Sequence, residues 1–372
     1  MPELCQNTGK IASGLIVYAP LDWGMGHTTR SIPIINTLLK LNYKVIIACK
    51  SSQKKILKAA FPDLVFKELR GYSITYGRSG WFTTLKIILQ IPKILTNIKY
   101  EKRWIDRIVA ETNPDFIISD NRYGFYNSQV KSILITHQLL IKTGLGKWID
   151  KQVQKQLYKI LQRFSNCWVP DFEDGAVNLA GLLSHPEKTC PIPVTYLGGL
   201  SRLHTCITEK KNDSILCLLS GPEPQRTLLE KKILQEAPHI QRNIILVRGI
   251  TDPTSSISSS SNVTIFNYLD AKELNTHLCE AGFVICRAGY TSVMDFASVG
   301  SKSLLIPTPG QAEQEYLAER LQSIQFAPFL QQKDFSIKAA LEKIAQFNYQ
   351  KFEGNMEQYK KTIPAALEAL KG

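Results

Sequence analysis

The strongest constraint on this chain is a rhythm: short apolar runs alternate with helix-length segments, and the alternation is played twice. The first pass reads GLIVYA (14–19), VIIAC (45–49), VFKEL (65–69), FIISD (116–120), SILITHQ (132–138) and NCWVP (166–170). Helical patterns follow the first run and cover 51–60 and 146–163. The second pass reads SILCLLS (214–220), NIILVRG (243–249), VTIF (263–266), FVICRAG (283–289) and SLLIP (303–307), with helices at 225–236, 271–281, 291–299 and 312–322. Runs that are apolar throughout, rather than at every second residue, fit strands buried on both faces, and the intervening helices make parallel βαβ units. Between the passes, from His185-Pro186 through PIPV (191–194) and Gly198-Gly199 to Asp213, the texture turns polar and broken, as a hinge requires. A chain of 372 residues also exceeds what one core usually holds, roughly 250–300 residues. The expected architecture is α/β: two Rossmann-like, doubly wound parallel-sheet domains, 1–197 and 198–352. A C-terminal helix, 353–372, is free to pack back on the first. The cleft between them should lie at the carboxyl ends of the strands.

Charge separates the two halves. Residues 1–200 carry 26 basic and 14 acidic side chains, and 201–372 carry 19 and 18. An anionic partner or surface is therefore expected for the first half only. Met1–Lys10 is polar and no run of 18 apolar residues exists, so neither a secretory leader nor a spanning helix is expected, and the site of action is read as cytoplasmic. Cys49, Cys217 and Cys286 lie in apolar runs, which reads as buried free thiols rather than a disulfide frame. The histidines and cysteines show no metal-ligand spacing, so no zinc site is expected.

Four turns carry chemistry. WGMGHTTR (23–30) follows the first strand: Gly24 and Gly26 let backbone approach a ligand, and His27 opens the next helix. A helix amino terminus favours neutral imidazole, the form a general base needs, although glycines with a capping histidine are an equally economical reading. RAGYTSVMDFASVG (287–300) places Gly289 at a helix start able to hold a diphosphate, with Arg287 beside it and Asp295 one to two turns on. TPGQAEQEYLAERL (308–321) sets Glu313 and Gln314 side by side, suited to a polyhydroxylated ligand or simply to capping. LLSGPEPQR (218–226) puts Ser220 and Gly221 at a strand end before a proline-started helix.

Taken together, GMGHTTR, FVICRAGYTSVMDFASVGSKSLLIPTPG and EQEYLAERL resemble the two-Rossmann-domain (GT-B) glycosyltransferases. The branch is that of family 28: the MurG-like N-acetylglucosaminyltransferases of peptidoglycan synthesis and the related monogalactosyldiacylglycerol synthases. The resemblance spans nearly the whole chain. It implies His27 as base, with Gly24 and Gly26 shaping the acceptor loop. It implies Ser220 and Gly221 facing a donor diphosphate, Tyr268 and Leu269 beside a uracil, and Arg287, Ala288 and Gly289 forming the diphosphate turn. Asp295 would hold the ribose, and Glu313 and Gln314 the transferred sugar. The first loop has Met25 where the family has glycine, and SGPEPQR leaves the role of Arg226 open. SDNRYG (119–124) stands where the peptidoglycan enzymes carry a glycine-rich acceptor loop, which points to another acceptor touched by Asp120, Asn121 and Arg122. Asp120, ending an apolar strand, rivals His27 as base. His137 in THQ is an acceptor contact or a satisfied interior group.

The expected activity is an inverting transfer of a hexose or N-acetylhexosamine from a UDP-sugar to a lipid-linked or glycan hydroxyl. No DxD carboxylate pair occurs, so no metal and no cofactor beyond the UDP-sugar substrate is expected. Residues 81–104, WFTTLKIILQIPKILTNIKYEKRW, mix Trp81, Phe82, Leu85, Ile88, Leu89 and Leu95 with lysines, ending at Trp104. They suit a helix lying on an anionic membrane, with a kink at Pro92, or a core helix with a basic outer face. Nucleic acid is not expected, since no recognition motif occurs. Other classes left open are an epimerase or hydrolase of the same fold and a non-catalytic sugar-nucleotide or lipid-binding protein.

Overall fold

The computed structural model describes residues 13–74, 86, 89–175, 177–206, 212–250, 257 and 259–371. Its first sheet contains β1 (Gly14–Pro20), β2 (Tyr43–Cys49), β3 (Val65–Glu68), β4 (Phe116–Asp120), β5 (Lys131–Ile135), β6 (Asn166–Val169) and β7 (Val194–Tyr196). They run in the order β3-β2-β1-β4-β5-β6-β7, and every pairing is parallel. Helices α1 (Gly26–Lys40), α2 (Ser51–Ala60), α3 (Ile91–Thr112) and α4 (Lys147–Leu161) form its crossovers. The second sheet, β8 (Ile215–Leu218), β9 (Ile244–Val247), β10 (Val263–Phe266), β11 (Phe283–Cys286) and β12 (Ser303–Leu305), has the order β10-β9-β8-β11-β12, again parallel throughout. With it come α5 (Gln225–Glu236), α6 (Ala271–Glu280), α7 (Tyr290–Val299), α8 (Ala312–Ser323) and α9 (Ile337–Gln346). The chain ends in α10 (Tyr359–Lys371).

The elements stop where their chemistry says they should. Helix α6 opens on a reciprocal capping box: Asp270 accepts from the Glu273 amide at 2.8 Å, and Glu273 accepts from the Asp270 amide at 3.0 Å. Helix α7 ends at Gly300, whose φ of +74° only glycine adopts without cost. Strand residues Ile16–Ala19 and Phe116–Asp120 are all buried, which the two-sided helical cover of a parallel sheet demands.

The topology fixes two crevices. In the first sheet the winding direction reverses between β1 and β4, where Pro20 pairs with Asp120 at the carboxyl ends. In the second it reverses between β8 and β11, leaving Ser220 and Arg287 just beyond the strand ends. Ligands of doubly wound folds sit at such switch points.

Four expectations need correction. The segment read as hinge contains β7, whose three residues pair in parallel with β6. Pro92 does not kink α3; it lies in the helix's first turn, where a proline's missing N–H leaves no bond unmade. Trp104 is not at a membrane-facing end, because its ring packs on Phe125 with centroids 5.8 Å apart. Trp81, Phe82, Leu85 and Ile88 lie outside the described residues. Cys49, Cys217 and Cys286 are free and buried, but Cys206 is disulfide-bonded to Cys279 across 73 residues of sequence. Spacing could not reveal that pair, since it joins the interdomain linker to α6.

Helix α10 leaves the second domain and packs on the first. Tyr359, Ile363 and Leu367 enter the same apolar cluster as Ile16, Ile34, Leu38 and Trp168. Ile363 is fully buried there. Its replacement by alanine should cost about 2–5 kcal/mol in chemical denaturation. A loss under about 1 kcal/mol would show that the first domain's core does not depend on the chain's last helix.

Candidate active site

The carboxyl end of β1 and the start of α1 set the first half of the site. After Pro20 the chain turns through Gly24, at φ +74°, and enters α1 at Gly26. A Cβ on Gly26 would lie 2.9 Å from Thr291 Oγ1 of α7, so glycine is what lets the amino ends of α1 and α7 approach each other across the domain boundary. His27 and Arg30, three residues apart, share one helix face. Both reach Asp120, the last residue of β4. Arg30 Nε donates to Asp120 Oδ2 at 2.9 Å, and Arg30 Nη2 donates to Oδ1. His27 Nδ1 lies 3.0 Å from Asp120 Oδ1 and 2.8 Å from Arg30 Nη2. Among the described residues, His27 Nε2 has no hydrogen-bond partner.

Burial decides the electrostatics. Asp120 is 0% exposed and Arg30 3%. Burial alone would raise the Asp120 carboxyl, but the Arg30 guanidinium and the His27 ring outweigh it and hold the group well below the usual carboxylate range. His27 is shifted below the usual histidine value, first by burial and then by the Arg30 charge, against the opposing pull of Asp120. The neutral imidazole is thus the favoured form, and Asp120 stays ionised.

The second domain closes on this cluster. Tyr290, the first residue of α7, stacks on the His137 ring with centroids 4.2 Å apart and 10° between planes. The Tyr290 hydroxyl donates to the Pro170 carbonyl at 2.8 Å. His137 receives Arg30 Nη1 on Nδ1 at 3.3 Å and reaches Glu313 Oε1 from Nε2 at 2.7 Å. A neutral ring protonated on Nε2 satisfies both contacts. A continuous polar chain therefore runs from His27 and Asp120 through Arg30 and His137 to Glu313 on α8, across the domain boundary.

Beyond β11, Arg287 is 1% exposed and, among the described residues, has no carboxylate partner. Its Nη2 donates to the Gln225 carbonyl at 2.7 Å and Nη1 to the Ile306 carbonyl at 3.3 Å, while Nε has no partner among the described residues. Burial pulls its pKa down to about 10. Thr308 Oγ1 is buried and likewise has no partner among the described residues. Gly221, at φ +92°, lies between them: a Cβ there would stand 3.5 Å from Thr308 Oγ1 and 4.0 Å from Arg287 Cγ. Orphaned donors at a glycine-lined strand end are what an anionic ligand would satisfy. Ser220 leads into Gly221, while Ala288 and Gly289 form the turn into α7, Gly289 as its N-cap. Gln314 Oε1 accepts from the Thr308 amide at 2.9 Å. Tyr268, half-buried, follows β10.

Several residues stand elsewhere than the sequence suggested. Asp120 is sealed from solvent and doubly bound by Arg30, so it orients His27 and has no access to a substrate proton. Arg122 is not an acceptor contact: it is 0% exposed, donating from Nη1 to Glu101 at 2.8 Å and from Nε to the Pro20 carbonyl at 2.8 Å. Arg226 likewise pairs with Glu230 at 2.9 Å inside the second domain. Asp295 does not face a ligand; it accepts from Ser201 of the linker at 2.6 Å, and burial raises it to about 6. Leu269 puts its side chain in the second domain's core. Asn121 takes φ +56° after β4, with its Oδ1 buried and unpartnered. His137 is the satisfied interior group, and it spans both domains. Sequence reasoning missed Arg30, Thr291 and Tyr290. Arg30 was findable, since i,i+3 spacing from His27 puts the two on one face; the other two needed the domain contact.

Residues 223–370 match the glycosyltransferase family 28 C-terminal domain. The UDP-N-acetylglucosamine--N-acetylmuramyl-(pentapeptide) pyrophosphoryl-undecaprenol N-acetylglucosamine transferase of Syntrophus aciditrophicus (strain SB) is 20% identical over 294 residues, covering 76% of this chain and 75% of its own. Among solved structures, the calicheamicin glycosyltransferase superposes with a TM-score of 0.64 at 12% identity, over 97% of this chain and 98% of that one. MurG of Acinetobacter baumannii gives 0.53 at 12% identity, over 96% and 99%. With two parallel sheets meeting at their switch points, this chain has the two-domain fold of the GT-B glycosyltransferases, and its residues 223–370 match the family 28 C-terminal domain.

Proposed function

We propose that the chain transfers a hexose or N-acetylhexosamine from a UDP-sugar to a hydroxyl of a lipid-linked or glycan acceptor, with inversion and without a metal. The observation that carries this reading is the His27–Asp120–Arg30 cluster set directly against the start of α7, at the seam of the two domains. An acceptor hydroxyl needs a base, and the departing diphosphate needs positive charge. His27 takes the proton on Nε2 while Asp120 holds Nδ1–H and fixes the ring. The amino end of α7, with Arg287 Nε and Thr308 Oγ1, receives the diphosphate. Glu313 and Gln314 at the start of α8 hold the sugar, Glu313 exchanging His137 for a sugar hydroxyl. One displacement with one base inverts the anomeric centre. The absence of a DxD pair and the presence of these fixed positive groups support metal independence.

The acceptor side belongs to the basic first domain. On α3 and just before it, Leu89 is 70% exposed, Ile91 46% and Leu95 53%, and Lys93, Lys99 and Arg103 are exposed beside them. Apolar tips edged by cations suit the surface of an anionic membrane. No helix among the described residues is long and apolar enough to cross one. The enzyme works at the cytoplasmic face, bound peripherally.

Incubation with a panel of UDP-sugars, with and without membrane lipid extract and in EDTA, should release UDP from one donor, faster with lipid. Recovery of an intact, altered UDP-sugar would identify an epimerase. UDP binding without release from any donor would leave a binding protein. The pH dependence follows from the cluster. His27 must be neutral to act, and its pKa is depressed, so the acidic limb of kcat/KM should fall below the usual histidine value of about 6.5. Arg30→Gln removes the cation that depresses it and frees the Asp120 charge to favour imidazolium. The limb should then move up by about one unit or more. An unmoved limb would exclude His27 as the titrating base.

A further inference from the structure

At the carboxyl ends of β2 and β3 lies an open cleft of about 460 Å³, on the same edge of the first sheet as His27. Its walls bring together Lys50, which follows β2, Arg70, which follows β3, and Lys93 from the first turn of α3. The two ammonium groups converge on one residue: Lys50 Nζ donates to Ser73 Oγ at 3.3 Å and Lys93 Nζ to the Ser73 carbonyl at 2.7 Å. Ser73 takes φ +48°, a left-handed backbone that turns both oxygens toward them. The Arg70 side chain is exposed and, among the described residues, makes no hydrogen bond or ion pair. The one carboxylate on the wall, Glu68, accepts from Ser51 Oγ at 2.9 Å. Three cations against one acid leave the cleft positive.

This cleft is tied to the catalytic loop. Asp22, five residues before His27, accepts from the Tyr72 amide at 2.9 Å, and Trp23 meets the Tyr72 ring edge-on at 6.2 Å. Gly71 makes the contact possible: a Cβ there would lie 2.1 Å from Asp22 Oδ2 and 3.1 Å from Lys50 Cδ. The same backbone segment thus forms one wall of the cleft and braces the turn that presents His27. Among the described residues, none of the three cations has an ion pair to keep it there.

We infer that Lys50, Arg70 and Lys93 form a phosphate subsite for the acceptor, holding a phosphate ester of the molecule whose hydroxyl His27 deprotonates. This deepens the proposed function and rests on its assignment of the first domain to the acceptor. Ammonium and guanidinium groups converging on one opening match the charge and geometry of phosphate oxygens. A lipid headgroup and a soluble sugar phosphate both carry such a phosphate; the test separates these.

The test uses the full-length protein with saturating UDP, so that the donor site is filled. Binding is measured to glucose 6-phosphate and to phosphatidylcholine vesicles with and without phosphatidylglycerol. The pair Arg70→Glu and Lys93→Glu is compared with Lys151→Glu and Lys155→Glu, exposed on α4 and not lining the cleft. The first pair should weaken phosphate-dependent binding by about tenfold or more, with the second changing it less than about threefold. An effect on vesicles alone assigns the phosphate to a lipid headgroup, and one on glucose 6-phosphate alone to a soluble sugar phosphate. Equal losses from both pairs would reduce the cleft to general surface charge, and no loss, or no binding of either probe by the wild type, would overturn the subsite. UDP affinity, read by thermal shift, should be the same in every variant. A wild type that fails to bind UDP would instead refute the proposed donor.

Discussion

Arg30 meets Asp120 where water does not reach, and the rest of the site is arranged around that pair. A carboxylate at the end of a buried strand is costly unless a cation and hydrogen-bond donors surround it. Arg30 supplies both, and in doing so it fixes three things at once. Asp120 stays charged, His27 stays neutral, and the second guanidinium nitrogen is left to hold His137. Because His137 reaches Glu313 and stacks on Tyr290, the pair that stabilises one domain's strand end also decides how the other domain docks.

The fold makes this economical. Both sheets reverse their winding at a central strand, so each domain has one crevice, and the crevices face each other when the amino ends of α1 and α7 come together. Gly26 is the residue that allows the approach. Helix α10 returns to the first domain's core and ties the two halves together at the far end of the chain. Motion between the domains would then have to open at the polar seam, not at the apolar ones.

Much of this could be read from the residues, and the misses have physical causes. The strands were visible because burial on both faces makes their runs apolar throughout; β7 was not, because three residues after a proline-rich stretch carry no such run. The positions of His27, Gly26, Arg287 and Glu313 at the carboxyl edges of the sheets were legible because each follows a strand closely in the sequence. Arg122 misled for the same reason: an arginine after a strand-end aspartate reads as ligand-facing, while its partner Glu101 lies on a helix that sequence cannot orient. Asp295 misled because its partner sits in the linker. The Tyr290–His137 stack and the Cys206–Cys279 pair join segments far apart in the chain, and no local pattern encodes them.

The central claim is that the polar seam is a reaction centre and not only a docking contact. The most direct measurement is UDP release from the preferred UDP-sugar by His27→Ala, alongside UDP affinity and thermal stability. Turnover should fall by about 10²–10⁴-fold with affinity and stability unchanged, the signature of a lost general base. Turnover equal to the wild type would mean that the cluster holds the domains together and that the chemistry lies elsewhere.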